Sequence, residues 1–410
     1  MNCRHCRTPL HPVRDVFLDL GAAPPSNAFL RAEDLDRAEA HLPLKVLTCP
    51  DCLLVQVDEI ERHDALFSDD YVYFSSFSSS WLAHAKRYVT DAVDRLALNT
   101  GSFVVEVASN DGYLLQYVAE RGIPCLGIEP TASTAKAARA RGIESIEEFF
   151  GTALAQRLAA TRGQASLITA NNVLAHVPDI NDFVAGFREL LAPNGTVTLE
   201  FPHLLRLVEH AQFDTVYHEH FSYLSLHVVA RILASAGLAI WDVEELPTHG
   251  GSLRVWAQHC GFPRAALPSV NAVLEAEIDK GMLTPGYYRT LQTRAEQVAN
   301  DFMSFLLEAR RRGKRVMGYG AAAKGNTLLN FAGVRPDLIP GVADASPHKQ
   351  GRFLPGSRIP VVAPTIIDQM KPDYIVVFPW NIRGEVVEQL AHARAWGAQF
   401  VTVVPTLEIA

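Results

Sequence analysis

The stretch Val104-Val-Glu106-Val-Ala108-Ser-Asn110-Asp-Gly112-Tyr-Leu-Leu115 decides how this chain folds. A short apolar run gives way to small and polar residues and then to a helical pattern, so it reads as strand, tight turn and helix start. Such a turn aims helix N–H groups at a ligand, and small residues let the backbone approach it. About twenty residues on, Leu126-Gly-Ile-Glu129-Pro130 closes a second strand with an acid, placed to accept hydrogen bonds from two ribose hydroxyls. Glu106, Ala108, Asn110, Gly112 and Glu129 are therefore candidate cofactor contacts.

Outward from that unit the texture repeats. Apolar runs at 103–108, 125–129, 166–170, 196–201, 238–243 and 253–258 alternate with helical spacing at 113–121, 132–141, 180–191 and 225–236. Strands alternating with helices predict an α/β chain with a parallel, doubly wound sheet. Pro193-Asn-Gly195 predicts a turn ahead of the fifth strand. Residues 1–80 form a separate zone with little periodicity. Residues 263–410 open with helical spacing over 267–312, broken near Thr284-Pro285-Gly286, and return to strands at 315–318, 338–343, 374–379 and 400–404.

Composition bounds the class. At ~150 residues per domain, 410 residues suggest two or three domains. A chain 48% hydrophobic and 20% charged can bury more than one core, which excludes disordered, collagen-like and coiled-coil proteins. The formal charge of −8 argues against a sequence-independent nucleic-acid binder. The N-terminus MNCRHCRTPL lacks the apolar core of a signal peptide, and the run at 375–380 is far short of the ~20 residues that span a bilayer. The expectation is a cytoplasmic protein with no nucleic-acid and no membrane partner.

Four of the six cysteines form two pairs, Cys3-x-x-Cys6 and Cys49-x-x-Cys52. In a reducing compartment such pairs bind metal more often than they form disulfides. Four thiolates suit tetrahedral Zn²⁺ and leave no open ligand position, so the role is structural, a staple for a zone too small for a large core. Arg4, Arg7 and Lys45 are expected to moderate the negative charge. Cys125 and Cys260 are expected to be buried small apolar residues.

The densest polar cluster is Asp214-Thr-Val-Tyr217-His218-Glu219-His220-Phe221-Ser222-Tyr223. It follows the fifth strand, at the sheet edge where α/β ligands sit. If it is a helical turn, Tyr217 and His220 share a face. A histidine moves protons near pH 7, and a neighbouring carboxylate can orient it. A metal site is the weaker alternative, because His218-Glu219-His220 lacks the spacing of H-E-x-x-H. Further on, Met317-Gly-Tyr319-Gly320-Ala-Ala-Ala-Lys324-Gly-Asn326-Thr327 follows a strand and opens a helix. Its Lys precedes the last Gly, so it is not a P-loop. The helix N-terminus and Lys324 suit a diphosphate, and close packing of turn on helix is the competing explanation.

These motifs carry two resemblances. The 104–115 segment resembles the first motif of class I SAM-dependent methyltransferases (SAM, S-adenosylmethionine), E-x-G-x-G-x-G, with Ala108 and Asn110 replacing the first two glycines. A dinucleotide site wants G-x-G-x-x-G instead, and Asp111 would crowd a pyrophosphate. Ile168-Thr-Ala-Asn171-Asn-Val-Leu-Ala-His176-Val-Pro178 is similar to the methyltransferase motif with a polar residue after strand four and a His one turn later. The chain at nearly full length resembles the bacterial NDP-deoxysugar C-methyltransferases, the SAM-dependent sugar 3-C-methyltransferase type. The match rests on the double C-x-x-C start, Tyr73-Phe-Ser-Ser, Glu106-Val-Ala-Ser-Asn-Asp-Gly112, Tyr217-x-Glu219-His220-Phe221, His249-Gly-Gly251 and the 318–327 glycine turn.

The resemblance implies a zinc-binding N-terminal domain (1–80), a class I SAM-methyltransferase, Rossmann-like domain (81–262), and a helical linker with a Rossmann-like α/β domain that helps hold a nucleotide sugar (263–410). It implies SAM as cofactor, structural Zn²⁺, an NDP-keto-6-deoxysugar substrate with dTDP favoured, and a monomer. It implies His220 as the base that removes the proton from the carbon beside the ketone. Tyr73, Tyr217 and His176 would position the enolate and sugar oxygens, and Glu219 would orient His220. Asn171 joins the cofactor contacts, and Lys324, Asn326, Tyr319 and His249 are the expected sugar-nucleotide contacts. The alternatives are an NAD-dependent oxidoreductase and a non-catalytic zinc-ribbon nucleotide-binding protein.

Overall fold

Three sheets carry the chain in the computed structural model, which describes residues 1–58 and 74–410. The first strands are β1 (Val16–Ala23), β2 (Leu42–Thr48) and β3 (Val55–Val57). The middle of the chain adds β4 (Val104–Val107), β5 (Cys125–Ile128), β6 (Ser145–Ile146), β7 (Ala165–Asn171) and β8 (Leu191–Pro202). Then come β9 (Ser222–Tyr223), β10 (Leu238–Leu246) and β11 (Ser252–His259). The last part holds β12 (Val316–Tyr319), β13 (Val342–Ala343), β14 (Val361–Val362), β15 (Tyr374–Val377), β16 (Gln399–Thr402) and β17 (Glu408–Ile409).

The central sheet has the order β10-β11-β8-β7-β4-β5-β6. All four residues of β4 are buried, as a strand covered by helices on both faces requires. From β4 the chain winds outward through β5 and β6, then returns to β7 and β8 on the other side. That reversal opens a crevice at the carboxyl ends of β4 and β7, where doubly wound sheets bind ligands. The expected strands and helices fall where their periodicity put them except at 338–343, which shrinks to Val342–Ala343 because Pro340 has no N–H for the ladder, and with one difference in direction. β11 is antiparallel to both β8 and β10. The connection from Leu246 to Ser252 is too short for the crossover that a parallel pair needs. Pro193-Asn-Gly195 also differs, because it lies inside β8 as an irregularity in the register against β7 rather than as a turn ahead of it.

The N-terminal sheet has the order β1-β2-β3-β9 and is antiparallel throughout. Its outer strand comes from the polar cluster of the middle of the chain. Phe17, Leu44, Val46, Val55 and Val57 share one apolar cluster with Phe213, Val216 and Tyr223, so the cysteine-bearing zone is packed onto the segment that carries Tyr217 and His220. The C-terminal sheet has the order β14-β13-β12-β15-β16-β17, parallel up to its last strand, and it reverses direction at β12. The 267–312 helical stretch divides at the expected break into Pro268–Asp279 and Leu291–Arg311. Cys125 is only partly buried, and Cys260 is exposed because it sits at the turn that ends β11, so neither is the core residue expected. Among the described residues no helix is long and apolar enough to cross a membrane.

Candidate active site

At the end of β4 the backbone turns through left-handed geometry at Ala108 (φ 58°), Asn110 (φ 49°) and Gly112 (φ 76°). Two of these carry side chains and need outside support. Glu129 provides it: one carboxylate oxygen accepts the Asn110 N–H at 2.9 Å and the other the Thr131 N–H at 2.9 Å. Burial raises the Glu129 carboxyl and the two N–H donors oppose that rise. At position 112 the left-handed φ favours glycine, and a Cβ there would sit a tight 3.1 Å from Ile143 Cγ1. Asp111 is fully buried, with its Oδ2 held by Arg141 at 3.0 Å and by the Ser76 hydroxyl at 2.5 Å.

Glu106 is 1% exposed, and among the described residues neither of its oxygens has a hydrogen-bond partner. Burial, with Glu129 and Asp111 nearby, pushes its carboxyl well above the usual range. Among the described residues the buried amide oxygens of Asn171, at the end of β7, and Asn172 after it have no partner, nor has the buried Ser109 hydroxyl. Buried polar atoms left without partners cost free energy, so a cluster of them at a sheet crevice marks a ligand that supplies donors. An adenosyl cofactor with ribose hydroxyls and an amino group meets that chemistry. Glu106, Asn110, Glu129 and Asn171 are the residues that would hold it.

The segment 213–223 is a 3₁₀ turn at Phe213–Thr215, a tight turn over 217–220 and the strand β9, not an α-helix. His220 N–H bonds the Tyr217 carbonyl at 3.2 Å, and this turn brings the two rings to 4.5 Å between centroids. The shared face expected of Tyr217 and His220 is met by a different backbone. His176 ends a short 3₁₀ helix after β7, and its ring centroid lies 4.6 Å from that of His220, edge to face. His220 Nδ1 donates to the Thr215 carbonyl at 3.0 Å, which fixes the tautomer and leaves the lone pair on Nε2. Burial above all, with His176, His249 and Lys324 nearby, holds the imidazole well below its usual range, so it is neutral at pH 7. Burial likewise lowers His176 to about 4.

Glu219 does not orient His220, as the resemblance had implied. Its carboxylate accepts from Asn27 Nδ2 at 2.7 Å, and its main-chain carbonyl accepts from His176 Nδ1 at 2.9 Å. The reason is geometric: the 217–220 turn points the Glu219 side chain at the N-terminal zone while its backbone faces the histidines. Burial raises its carboxyl to about 7. Tyr217 is buried, which pushes its phenol well above the usual range and keeps it a hydrogen-bond donor. Tyr73 lies outside the described residues.

The C-terminal part closes one side. Lys324 Nζ lies 4.3 Å over the Trp380 ring and donates to Asn381 Oδ1 at 2.7 Å. Trp380 Nε1 donates to the buried Asp214 at 2.7 Å. Burial lowers Lys324 to about 8 and raises Asp214 to about 6. His249, at φ 54°, packs against Trp81 at 5.3 Å, and burial lowers it to about 4. The glycines after it are needed: a Cβ at Gly250 would lie 2.4 Å from Trp380 Cη2, and one at Gly251 2.6 Å from Arg206 Cγ.

Two expected sugar-nucleotide contacts are placed elsewhere. Tyr319 is 5% exposed and packs in the apolar cluster of Ile375, Val377 and Val386, because its β12 position points into the C-terminal core. Asn326 is 1% exposed and spends its amide on the Ser26 carbonyl at 2.7 Å. Its neighbour Thr327 donates to the Val216 carbonyl at 3.0 Å, so at these two positions the helix Ala323–Ala332 braces the 213–223 segment.

A buried network beneath the cleft had no signal in the sequence. Glu200 at the end of β8 binds Arg254 at 2.6 Å, His84 at 2.8 Å and the Thr248 hydroxyl at 3.0 Å, and its carboxyl sits at about 2, with burial outweighed by His84 and Arg254. It ties the residue before His249 to the sheet. The three partners are far apart in sequence and share no motif.

The four sulfurs of Cys3, Cys6, Cys49 and Cys52 lie within 4.8 Å of one another, with Cys3–Cys52 and Cys6–Cys49 each at 3.4 Å. Tetrahedral zinc with Zn–S near 2.3 Å needs sulfurs about 3.8 Å apart, and this set fits it. The residues after each pair, Arg7 (φ 66°) and Leu53 (φ 65°), take the left-handed turn that folds both knuckles inward. The nearby cations do not serve the thiolates: Lys45 pairs with Asp19 at 2.8 Å, Arg7 with Asp179 at 3.7 Å, and the Arg4 guanidinium reaches main-chain carbonyls.

Comparison with known proteins agrees with this architecture. Residues 3–67 match the family described as "Putative zinc binding domain", residues 81–243 a methyltransferase domain and residues 247–405 a C-methyltransferase C-terminal domain. The C-methyltransferase NovU of Streptomyces niveus is 33% identical over 406 residues, 98% of this chain and 95% of its own. A ubiquinone biosynthesis O-methyltransferase of Pasteurella multocida is 32% identical over 111 residues, 24% of this chain and 45% of its own. A solved S-adenosylmethionine-dependent methyltransferase of Clostridium acetobutylicum is 10% identical over 43% of this chain and 91% of its own, at a TM-score of 0.35.

Proposed function

The chain belongs to the C-methyltransferase family, as a SAM-dependent methyltransferase with a zinc-binding module, and from that premise we propose that it methylates a ring carbon beside the ketone of an NDP-keto-6-deoxysugar, at C-3 of a dTDP-4-keto sugar. The observation that carries this reading is the His220 ring: neutral, with its Nδ1–H fixed on Thr215, its Nε2 lone pair available, and Tyr217 and His176 against it.

A carbon acid beside a carbonyl is weak, so its ionisation needs a base and donors for the developing oxyanion. His220 Nε2 takes the proton. The Tyr217 phenol donates to the enolate oxygen, and Lys324 adds positive charge to the cleft. His176 holds the ring face against which His220 stands. The sulfonium of bound SAM supplies the methyl group. Glu106, Asn110, Glu129 and Asn171 would hold that cofactor at the carboxyl ends of β4 and β7. The C-terminal wall of Lys324, Trp380 and Asn381 is the side on which the nucleotide lies.

The test is the product. Incubation with SAM and a dTDP-4-keto-6-deoxysugar is expected to raise the sugar nucleotide's mass by one methyl, with a new carbon–carbon bond at C-3 by NMR. Binding of SAM without any gain of mass across a panel of nucleotide keto sugars would contradict the reading.

A further inference from the structure

Arg4 lies inside the first cysteine knuckle, yet its side chain serves the other end of the molecule's chemistry. Nη1 donates to the Pro178 carbonyl at 3.0 Å and Nη2 to the Val57 carbonyl at 2.8 Å, with the guanidinium carbon 4.8 Å from the Phe221 ring centroid. Pro178 follows His176 by two residues, and Phe221 follows His220 directly. Val57 N–H in turn donates to the Phe221 carbonyl at 3.1 Å. Beside it, Asn181 Nδ2 donates to the His5 carbonyl at 2.8 Å and its Oδ1 pairs with His5 Nδ1 at 2.8 Å. On the metal side, Arg4 N–H donates to Gln56 Oε1 at 2.9 Å, and Gln56 Nε2 reaches Cys3 Sγ at 3.4 Å. Arg4 itself is buried.

Both of these acceptors, among the described residues, are main-chain carbonyls, so these two bonds fix backbone. One fixes the loop that follows His176; the other fixes β3, whose Val57 N–H holds the Phe221 carbonyl next to His220, so the clamp joins the two stretches whose imidazoles stand 4.6 Å apart. The planar fork suits a clamp of this kind, and a lysine could satisfy only one direction at a time. We infer that Arg4 is a positioning residue for the His176–His220 pair, and that the zinc knuckle sets the spacing of these two rings through it. The inference rests on the reading of His220 as the base.

The experiment compares Arg4→Met, Arg4→Lys and Asn181→Ala with wild type. Bound zinc by elemental analysis and S-adenosylhomocysteine affinity by calorimetry are expected to stay within about 2-fold, because neither ligand set is touched. In Arg4→Met, kcat should fall on the order of 10- to 100-fold with KM within about 2-fold, the pattern of a misplaced catalytic group. Arg4→Lys should recover part of it. Because burial and His176 hold His220 low, loosening the pair should move the acidic limb of kcat/KM to higher pH. Histidine ¹⁵N NMR, with His176→Asn and His220→Asn for assignment, should show a single Nδ1–H tautomer at His220 in wild type and mixed tautomers in Arg4→Met. That readout needs no substrate: altered tautomers in a protein that methylates no keto sugar support the positioning role and contradict the function. Unaltered tautomers and pH limb in zinc-loaded Arg4→Met overturn the inference, as does zinc loss in all three variants. Should Arg4→Met fail to fold, the same two readouts in Arg4→Lys and Asn181→Ala decide in the same way.

Discussion

At His220 the direction of one hydrogen bond decides what the ring can do. With the proton on Nδ1 and given to Thr215, Nε2 is the only basic nitrogen, and on the proposed mechanism it must face the substrate. His220→Asn is expected to lower methyl transfer by about 10²–10⁴-fold, and Tyr217→Phe by about 10²–10³-fold. Calorimetry should find S-adenosylhomocysteine affinity unchanged in both, which separates lost chemistry from lost folding. Glu219 gives a pH signature. Its carboxyl is raised to about 7, so the folded state holds this proton more tightly than the unfolded chain does. The folded state is therefore favoured by this group at low pH, and the advantage is lost as pH rises from the unfolded value near 4.5 through 7. Glu219→Gln should raise the melting temperature relative to wild type at pH 8 and leave it nearly equal at pH 4, by differential scanning calorimetry. The sequence made His220, Tyr217 and the acids legible because titratable side chains announce themselves. Thr215 was not legible, since it acts through a carbonyl that every residue possesses. Asn326 and Tyr319 misled for a related reason: a motif fixes where a residue sits along the chain, not which side of a turn or strand its side chain takes.

At the scale of the element, the His249-Gly-Gly251 turn closes where a side chain would collide. Gly250→Ala adds strain at φ 85° and a Cβ 2.4 Å from Trp380. The turn and the C-terminal wall must then separate. The expected result is a KM for the nucleotide sugar raised about tenfold or more with S-adenosylhomocysteine affinity unchanged, since a shift of this size in a positioning wall is enough. Steady-state kinetics and calorimetry together check it. The parallel strands were readable because a strand buried on both faces must be continuously apolar. The antiparallel β10–β11 pair carries the same apolar pattern, and only the length of its connection distinguishes it.

At the scale of the whole molecule, the cysteine zone and the catalytic segment are one sheet, because β9 completes β1–β3. Loss of metal should therefore reach the 217–223 segment first, through the shared sheet; the cofactor crevice touches the cysteines only through the apolar core they share with β4 and β7 and keeps the rest of the central sheet beneath it. Chelation is expected to abolish methyl transfer, to increase hydrogen exchange over β1–β3 and 217–223, and to leave S-adenosylhomocysteine binding in place. Mass spectrometry of exchanged peptides reads this directly. No periodicity in residues 1–80 foretold the sharing, since two residues of β9 complete a sheet whose other strands lie far earlier in the chain.

The central claim is that His220 strips a proton from carbon, and hydrogen exchange on the substrate reads that step apart from methyl transfer. With S-adenosylhomocysteine bound, in D₂O, wild-type protein should place deuterium on the carbon beside the ketone of a dTDP-4-keto-6-deoxysugar, and His220→Asn should leave that carbon protonated. Equal deuterium uptake with wild type and His220→Asn, or none with wild type, would contradict the account.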